Sequence, residues 1–242
     1  MGAQYYANSD RGRIRSVNQD RYLLHPMGEN ILLVAVFDGM GGHGDGDLAA
    51  ERAAERFLQV FSTPPKSEEE GAALLRTAAR DADADIRALR AGREDRRGMG
   101  TTVTAILLFG RRVLSLNVGD SRTYLHRMGD LFLLTHDDSY VQALVDAGQI
   151  TQIDAAFHPR RNVITRSLGS LGLGEVKVNV SDACAGDTYL LCSDGLHGMV
   201  AESFIGRLLS QQLSLATATG YLIAAANENG GEDNVTVALV RV

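Results

Sequence analysis

The sequence has little of three features that would assign it to a familiar class. It contains two cysteines among 242 residues, Cys184 and Cys192, which is too few for a disulfide framework or a cysteine-rich metal site. A reducing compartment is therefore the default, and Cys192, in a strand-like run, is interpreted as a small core residue. The longest apolar runs are about eight residues, well short of the ~20 that a membrane helix needs. The N-terminal segment MGAQYYANSDRGR has no apolar signal-peptide core.

Basic clusters are also missing. The net charge is -6 and the arginines are scattered along the chain, so no basic block is available to meet a nucleic-acid backbone. These absences predict a cytoplasmic protein with neither a membrane nor a nucleic acid as partner. Hydrophobic residues make up 45% of the chain, which is enough for a sizeable core.

Short strand-like runs separated by turn residues dominate what is present. They number roughly ten, mostly in hairpin order, with two helical stretches inserted early and two late, a grouping that favours an α+β fold. Gly110-Arg111 and Gly129-Asp130 are predicted hairpin turns, and Ser67 with Glu70 matches a capping box. Alternating apolar and polar residues at 114–118 predict a half-buried strand. Neither a repeat nor a long linker divides the chain, so residues 1–242 are predicted to form a single domain.

Residues 136–175 depart from this pattern. Short helical pieces there precede the segment HPRRNVITRSLGSLGLG, which has no sustained core pattern and many polar groups. Such an excursion from a scaffold often borders a functional site.

Aspartates recur at the ends of the predicted strands. The five are Asp20, Asp38, Asp120, Asp194 and Asp233. Buried carboxylates that share a site repel one another and take up protons unless a cation compensates them. Oxygen-only ligands indicate a hard ion, Mg(II) or Mn(II), rather than zinc. Glycine stands beside three of these aspartates, where it would let the backbone approach the ions.

Two other interpretations of this pattern stay open at the level of residues alone. A single Asp-Gly is a turn in most proteins, and spacing does not show that the five aspartates converge. The glycine-rich segment GMGGHGDG after Asp38 is a weaker candidate for a nucleotide-phosphate loop, since it lacks the Gly-Lys-Ser/Thr ending of that motif. Thr101 and Thr102 are interpreted as strand residues that pack beneath the site.

Seven segments together carry a resemblance to a known family. The chain resembles the metal-dependent Ser/Thr protein phosphatases of type 2C, in their bacterial single-domain form. The segments occur in order along nearly the whole chain: RIRSVNQDRYLL (13–24), VFDGMGGHGDG (36–46), GMGTT (98–102), NVGDSRTYL (117–125), VITRSLG (163–169), LLCSDGL (190–196) and EDNVTVALV (232–240).

The resemblance implies a four-layer α-β-β-α sandwich, in which two antiparallel sheets are flanked by helix pairs and the site lies at one end. It implies two Mn(II) or Mg(II) ions bridged by Asp38, with the Gly39 carbonyl on one ion and Asp194 and Asp233 on the other. Asp120 would hold a possible third, weaker ion. Asp20 would act through ordered waters.

The same resemblance implies the reaction and its substrate contacts. A water between the ions would hydrolyse phosphoserine or phosphothreonine in proteins, and no phosphoenzyme would form. Arg15 would grip the phosphate. Residues 136 to about 170, called the flap below, would lie beside the cleft, where His158 and Arg161 would meet the substrate. The implied partners are phosphorylated proteins and a bacterial eukaryotic-like Ser/Thr kinase, and the implied state is a monomer.

Three residues depart from the pattern of the family, namely Gln19, Met40 and Asp138. Gln19 stands where many relatives carry a metal-binding glutamate. Met40 replaces the histidine that eukaryotic members use as a presumed leaving-group acid, which makes a metal-bound water the preferred proton donor and His43 a second candidate. Asp138 stands where bacterial relatives often show histidine.

Gln19 and Met40 also motivate an alternative function, a catalytically weak phosphoprotein-binding module on the same fold. A third hypothesis keeps the enzyme and changes its target to a serine-phosphorylated anti-sigma antagonist.

Overall fold

The computed structural model describes residues 2–42, 45–170 and 172–242. Within these ranges the elements are eleven β-strands and seven α-helices, with one 3-10 turn at Glu94–Arg96. The strands are β1 (Gln4–Asp10), β2 (Asp20–Pro26), β3 (Ile31–Met40), β4 (Gly100–Thr101), β5 (Val103–Phe109), β6 (Arg112–Val118), β7 (Arg122–Arg127), β8 (Asp130–Leu133), β9 (Val178–Asp182), β10 (Thr188–Cys192) and β11 (Val235–Arg241). The helices are α1 (Asp45–Val60), α2 (Glu68–Arg90), α3 (Tyr140–Asp146), α4 (Gln152–Phe157), α5 (Asp194–His197), α6 (Glu202–Leu209) and α7 (Leu215–Glu228).

The strands form two sheets. One has the order β1-β11-β10-β7-β8, and the other has the order β2-β3-β5-β6-β9 with β4 paired to β3. Every strand pair is antiparallel. The α+β prediction of two antiparallel sheets is confirmed.

Three apolar layers hold the elements together. The first lies between the β3-containing sheet and the helices α1 and α2, where Phe37 meets Phe57 edge to face with ring centroids 5.3 Å apart. The second joins α6 and α7 to the β10-containing sheet, and the third lies between the two sheets. Complete burial of one such aromatic side chain is worth about 1.5–3 kcal/mol. The four-layer arrangement follows because each sheet must bury both faces.

Some local predictions need correction. Residues 113–116 are buried rather than half-buried, because β6 lies inside its sheet with Val113 in the inter-sheet layer and Leu114 under the helices. The second hairpin turn is Met128-Gly129, one residue earlier than predicted, and both residues have positive φ (54° and 94°), as a type I′ turn requires.

Helix termini match the sequence signals only in part. The Ser67 side chain accepts from the Glu70 N–H at 3.2 Å. Glu70 itself accepts from the Lys66 N–H, one residue before the position that a complete capping box uses. The four-residue helix α5 was not predicted. Within the described residues no helix combines the length and the apolar character that a bilayer crossing needs.

Candidate metal centre

The strand register brings the predicted aspartates to one end of the sandwich. Asp20 begins β2 and lies directly opposite Asp38, near the end of the antiparallel strand β3. Asp120 and Asp194 each follow a strand end by two residues, and Asp233 precedes β11 by two. The charges of the other four aspartates all raise the pKa of Asp38. The structure therefore places all five carboxylates at the same end of the sandwich, close enough for their charges to act on Asp38.

Burial is the largest cause of the perturbed acidities in this cluster. It raises the pKa of Asp20 to about 7 and that of Asp120 to about 8, and the charge of Asp194 adds to both shifts. Burial and the charge of Asp233 raise the pKa of Asp194 to about 6. A hydrogen bond from Asp38 acts in the opposite direction and limits this rise. Burial raises the pKa of Asp38 well above its ordinary value. Without a compensating cation, several of these groups would carry protons at neutral pH.

The donor set fits hard divalent ions. One oxygen each of Asp20 and Asp120 is buried without a hydrogen-bond partner, although buried carboxylate oxygens normally have one. Among the described residues no three acidic, histidine or cysteine side chains close around one point. Asp233 pairs with Arg15 at 2.7 Å. Mg(II)-like ions keep several waters and need only one or two carboxylates each, so carboxylates that do not close around one point are compatible with such ions.

Two threonines fix the position of Asp38. The Thr102 hydroxyl accepts from the Asp38 N–H at 3.0 Å, while the Thr102 N–H and the Thr101 hydroxyl both donate to the Asp38 carbonyl at 2.9 Å. The Thr102 hydroxyl also lies 2.7 Å from that of Ser121. Both threonines are fully buried, Thr101 at the end of β4 and Thr102 between β4 and β5, and their hydroxyls anchor the backbone of Asp38.

Asp20 is held by hydroxyls from the other sheet. Ser193 and Thr236 each donate to the same Asp20 oxygen at 2.7 Å, and the Ser193 hydroxyl accepts from the Thr236 N–H at 2.9 Å. Only 2% of Asp20 is exposed. These bonds tie the two sheets together at the end where the aspartates meet.

The glycines beside the aspartates are required by close packing of the chain. A Cβ on Gly39 would lie 2.1 Å from the Gly46 carbonyl oxygen, and one on Gly195 would lie 2.0 Å from the Asn234 carbonyl oxygen. Gly119 has φ +108°, and its Cβ would lie 2.6 Å from Thr102. Close packing is thus a reason for glycine at these positions beside the predicted one, access of the backbone to ions, which stays a prediction. Neighbouring segments approach too closely for any side chain.

Arg15 lies at the edge of the carboxylate cluster. Its Nη2 donates to Asp233, and about half of its side chain is exposed (53%). This hydrogen bond, opposed by partial burial, raises the pKa of Arg15, and the charges of Asp194 and Asp38 contribute to the rise. A guanidinium placed between solvent and the cluster can contact an incoming phosphate.

A cavity of about 380 Å³ opens between the flap and the aspartates. Asp120, Asp194 and Asp233 line one side, and Arg161 of the flap lies on the other. His158 is not part of this lining. Its ring packs against Tyr140, with centroids 5.9 Å apart, and its Nδ1 accepts from the Arg160 N–H at 3.0 Å.

Two of the residues that depart from the family pattern, Gln19 and Met40, have defined positions near the aspartates. Gln19 lies at the site, where its N–H donates to Asn234 at 2.8 Å and its side chain reaches the Gly41 carbonyl at 3.4 Å. Met40 pairs with Gly100 at the end of β3. His43, the second candidate for the proton donor, lies outside the described residues.

His197 is a site residue that the sequence reasoning missed. Its Nε2 donates to the Asp120 carbonyl at 2.9 Å. Burial, with the nearby charge of Arg122, lowers its pKa to about 3, so the ring stays neutral at neutral pH. The only signal was its position three residues after Asp194, on a helix too short to show periodicity.

Comparison with known proteins matches the Protein phosphatase 2C family to residues 11–229. The Serine/threonine phosphatase stp of Listeria welshimeri is 40% identical over 234 residues, which are 96% of this chain and 93% of that protein. The chain also has many solved structural neighbours. The S. agalactiae serine/threonine phosphatase superposes with a TM-score of 0.94 at 35% identity, covering 99% of both chains.

A further solved structure contains metal. It is the catalytic domain of the serine/threonine protein phosphatase PstP in complex with two manganese ions. It superposes with a TM-score of 0.85 at 38% identity, covering 99% of this chain and 97% of that one.

Proposed function

The chain belongs to the protein phosphatase 2C family and is a metal-dependent serine/threonine protein phosphatase, and from that premise we propose which residues carry the reaction. The observation that carries the proposal is the meeting of five strand-end carboxylates beside Arg15 and an open cavity. Family membership implies divalent ions. The oxygen-only donor set favours Mn(II) or Mg(II).

Each carboxylate has a proposed role toward these ions. Asp38 would be shared by two ions, one of which would also take the Gly39 carbonyl, while Asp194 and Asp233 would hold the other. Asp120 would serve a third, weaker ion. Asp20, whose other oxygen already accepts two hydroxyls, would act through water.

The remaining chemistry is positioning of the substrate. Bound ions supply a Lewis acid that lowers the pKa of water and offsets the charge of the phosphate. Arg15 would move from Asp233 to the phosphate oxygens, where its planar fork can form two parallel hydrogen bonds. This exchange needs no large rearrangement, because more than half of the Arg15 side chain already faces solvent.

Direct hydrolysis without a phosphoenzyme is favoured by the state of the nearby nucleophiles. Cys192 is fully buried, and burial raises the pKa of its thiol. The Ser193 hydroxyl is also fully buried and donates to Asp20. Neither group can reach a phosphate on the substrate. His197, held neutral, is a poor proton donor to the leaving oxygen.

The cavity is the proposed place for the peptide around the phosphorylated residue. Arg161 on its flap side would attract an anionic segment, and Val141, Ala155 and Met199 supply apolar lining. His158 of the flap is the second proposed substrate contact, although its ring packs on Tyr140 and it is not part of the cavity lining. In this proposal residues 1–242 are a single catalytic domain whose flap spans about 136–170.

Phosphorylated proteins are the substrates of such an enzyme, and the finer assignments are proposals. We propose a bacterial eukaryotic-like Ser/Thr kinase as the partner whose action is reversed, a cytoplasmic location and a monomeric state. The alternative of a catalytically weak binding module is not favoured, since it would leave the carboxylate cluster without a role.

Hydrolysis of a phosphothreonine peptide tests the proposal. The protein should release phosphate with Mn(II) and stop when a chelator is added. Asp38→Ala should lose at least about a hundredfold in kcat, as removal of a charge-stabilising group commonly does, while Asp182→Ala on the exposed strand β9 should keep full activity. An Asp38→Ala variant with the activity of the unmodified protein would refute the assignment.

A further inference from the structure

The loop that carries Asp120 is fixed at both ends by two adjacent residues of the flap. This loop, residues 119–121, joins β6 to β7 and is called the Asp120 loop below. At its first residue, the Gly119 N–H donates to the Asp138 carboxylate and the Asp138 N–H donates to the Gly119 carbonyl, both at 2.9 Å. The two residues are thus joined by a reciprocal pair of hydrogen bonds.

Asp137 holds the other end of the loop. The Arg122 guanidinium donates to both Asp137 oxygens, with the shortest contact at 2.7 Å. Both side chains are largely buried, at 16% and 9% exposure. Consecutive flap residues therefore bind Gly119, the first residue of the loop, and Arg122, the first residue of β7 directly after it, with Asp120 between them.

Asp138 also connects the loop to the segment that returns from the flap. Arg166 donates to the same Asp138 oxygen at 2.8 Å and to the Glu175 carbonyl at 2.9 Å. The guanidinium is about one quarter exposed, so this charged pair is only partly screened by solvent. A histidine at position 138 could accept from Gly119 but would carry no negative charge for Arg166.

Asp120 depends on this support because its own carboxylate has little. Asp120 is 5% exposed, and one of its oxygens has no hydrogen-bond partner. The direction of the side chain is therefore set by the backbone on either side of it. Groups that orient a ligand in this way commonly change metal affinity as much as ten- to a hundredfold when removed.

We propose that Asp138 is a positioning residue that fixes the backbone at Gly119 and thereby sets where Asp120 presents its carboxylate to the weaker divalent ion. The proposal rests on the proposed role of Asp120. Asp137, through Arg122, secures the other end of the loop. The chain thus uses an aspartate for this purpose at the position where its resemblance to the family leads one to expect histidine.

Manganese binding tests the proposal without reference to turnover. Free Mn(II) is measured by electron paramagnetic resonance during titration of the unmodified protein, Asp138→Ala, Asp138→Asn, Asp120→Ala and the Asp120→Ala/Asp138→Ala double variant. Asp138→Ala should weaken the weaker Mn(II) site about tenfold and leave the tighter sites unchanged. Asp138→Asn keeps an acceptor for the Gly119 N–H. The affinity of its weaker site should lie between those of the unmodified protein and Asp138→Ala. The double variant should bind no more weakly than Asp120→Ala, because both changes act on one ion.

Asp187 supplies a matched control. It accepts from Arg127 at 2.6 Å and from the Cys184 N–H at 2.7 Å, the same combination of partners as Asp138. It lies before β10, at the opposite end of that strand from Asp194. Asp187→Asn should lower the thermal stability and leave every Mn(II) site intact.

Four results would overturn the proposal. Two concern position 138: an unchanged weaker site in Asp138→Ala, or a loss at that site that Asp187→Asn reproduces. Two concern position 120: an Asp120→Ala variant that binds the weaker ion normally, or a double variant whose losses add. Failure of the proposed assignment of Asp38 would look different, since it would be seen as phosphatase activity that survives Asp38→Ala.

Discussion

Replacing Asp20 by asparagine should stabilise the metal-free protein at neutral pH. Asp20 is 2% exposed, and its environment raises its pKa from 3.8 to about 7, chiefly through burial. Asparagine keeps an acceptor for the Ser193 and Thr236 hydroxyls, and it places an NH₂ group where the carboxylate oxygen has no partner. The substitution thus removes a buried charge while preserving the hydrogen bonds that join the sheets.

The size of the effect follows from the pKa shift. The folded protein holds the Asp20 proton more tightly than the unfolded chain, so the carboxylate costs nothing below about pH 4, and its cost grows until about pH 7. The pKa of Asp20 differs by roughly three between the folded and unfolded states. At about 1.4 kcal/mol for each pKa unit, the charged carboxylate lowers the free energy of unfolding by about 4 kcal/mol. For a domain of this size, that corresponds to a rise in Tm of about 10 °C.

Thermal unfolding in chelator between pH 4 and pH 8 measures this effect. The unmodified protein should lose stability as the pH rises, and Asp20→Asn should lose less. Asp187→Asn is the control of opposite sign. Burial alone would raise the pKa of Asp187, but the hydrogen bonds from Arg127 and other groups lower it, so its removal should destabilise the protein above about pH 4. An Asp20→Asn variant that is no more stable than the unmodified protein at pH 8, with the same pH slope, would refute the reasoning.

Three further substitutions have defined outcomes. Thr102→Val should lower the free energy of unfolding by about 1–3 kcal/mol, because it leaves the Asp38 N–H unpaired. It should also weaken Mn(II) binding, measured by calorimetry. Thr104→Val, which removes a buried hydroxyl on β5, should lower only the stability. Arg15→Ala should reduce kcat/KM for a phosphopeptide about ten- to a hundredfold, because it removes a charged hydrogen bond of about 1.5–3 kcal/mol. The kcat/KM of Arg15→Lys should lie between those of Arg15→Ala and the unmodified protein. Equal kinetics for these three forms would show that Arg15 serves only Asp233. Gly195→Ala should abolish activity or folding, since its Cβ would lie 2.0 Å from a backbone oxygen, and a fully active, equally stable variant would contradict the described packing.

The α+β class was predictable from local signals, whereas the four-layer sandwich was implied by the resemblance to the family. Hairpin turns, glycine positions and short β-rich runs lie next to one another in the sequence, and the helices α2 and α7 each begin after a serine cap. The burial of β6 on both faces was not predictable from residues 114–118. It depends on α2 above the strand and on the second sheet below it, and both are distant in sequence.

The residues of the site were likewise predictable only in part. The motifs predict Asp38, Asp194 and Asp233 as metal ligands, but they gave no sign of the hydroxyls that support the cluster. Ser193 lies 173 residues from Asp20 along the chain, yet donates to it at 2.7 Å. Such a bond exists only once two sheets have packed together, and a buried serine has no distinctive pattern of its own. The sequence therefore predicts which residues carry the chemistry better than it predicts what holds them.

Anomalous diffraction from a crystal soaked in Mn(II) tests the central claim most directly, namely that the strand-end aspartates hold the divalent ions. The account predicts one peak bounded by Asp38, Asp194 and Asp233, and a second beside Asp38 and the Gly39 carbonyl. An active, manganese-saturated enzyme whose anomalous peaks all lie away from these residues would contradict it.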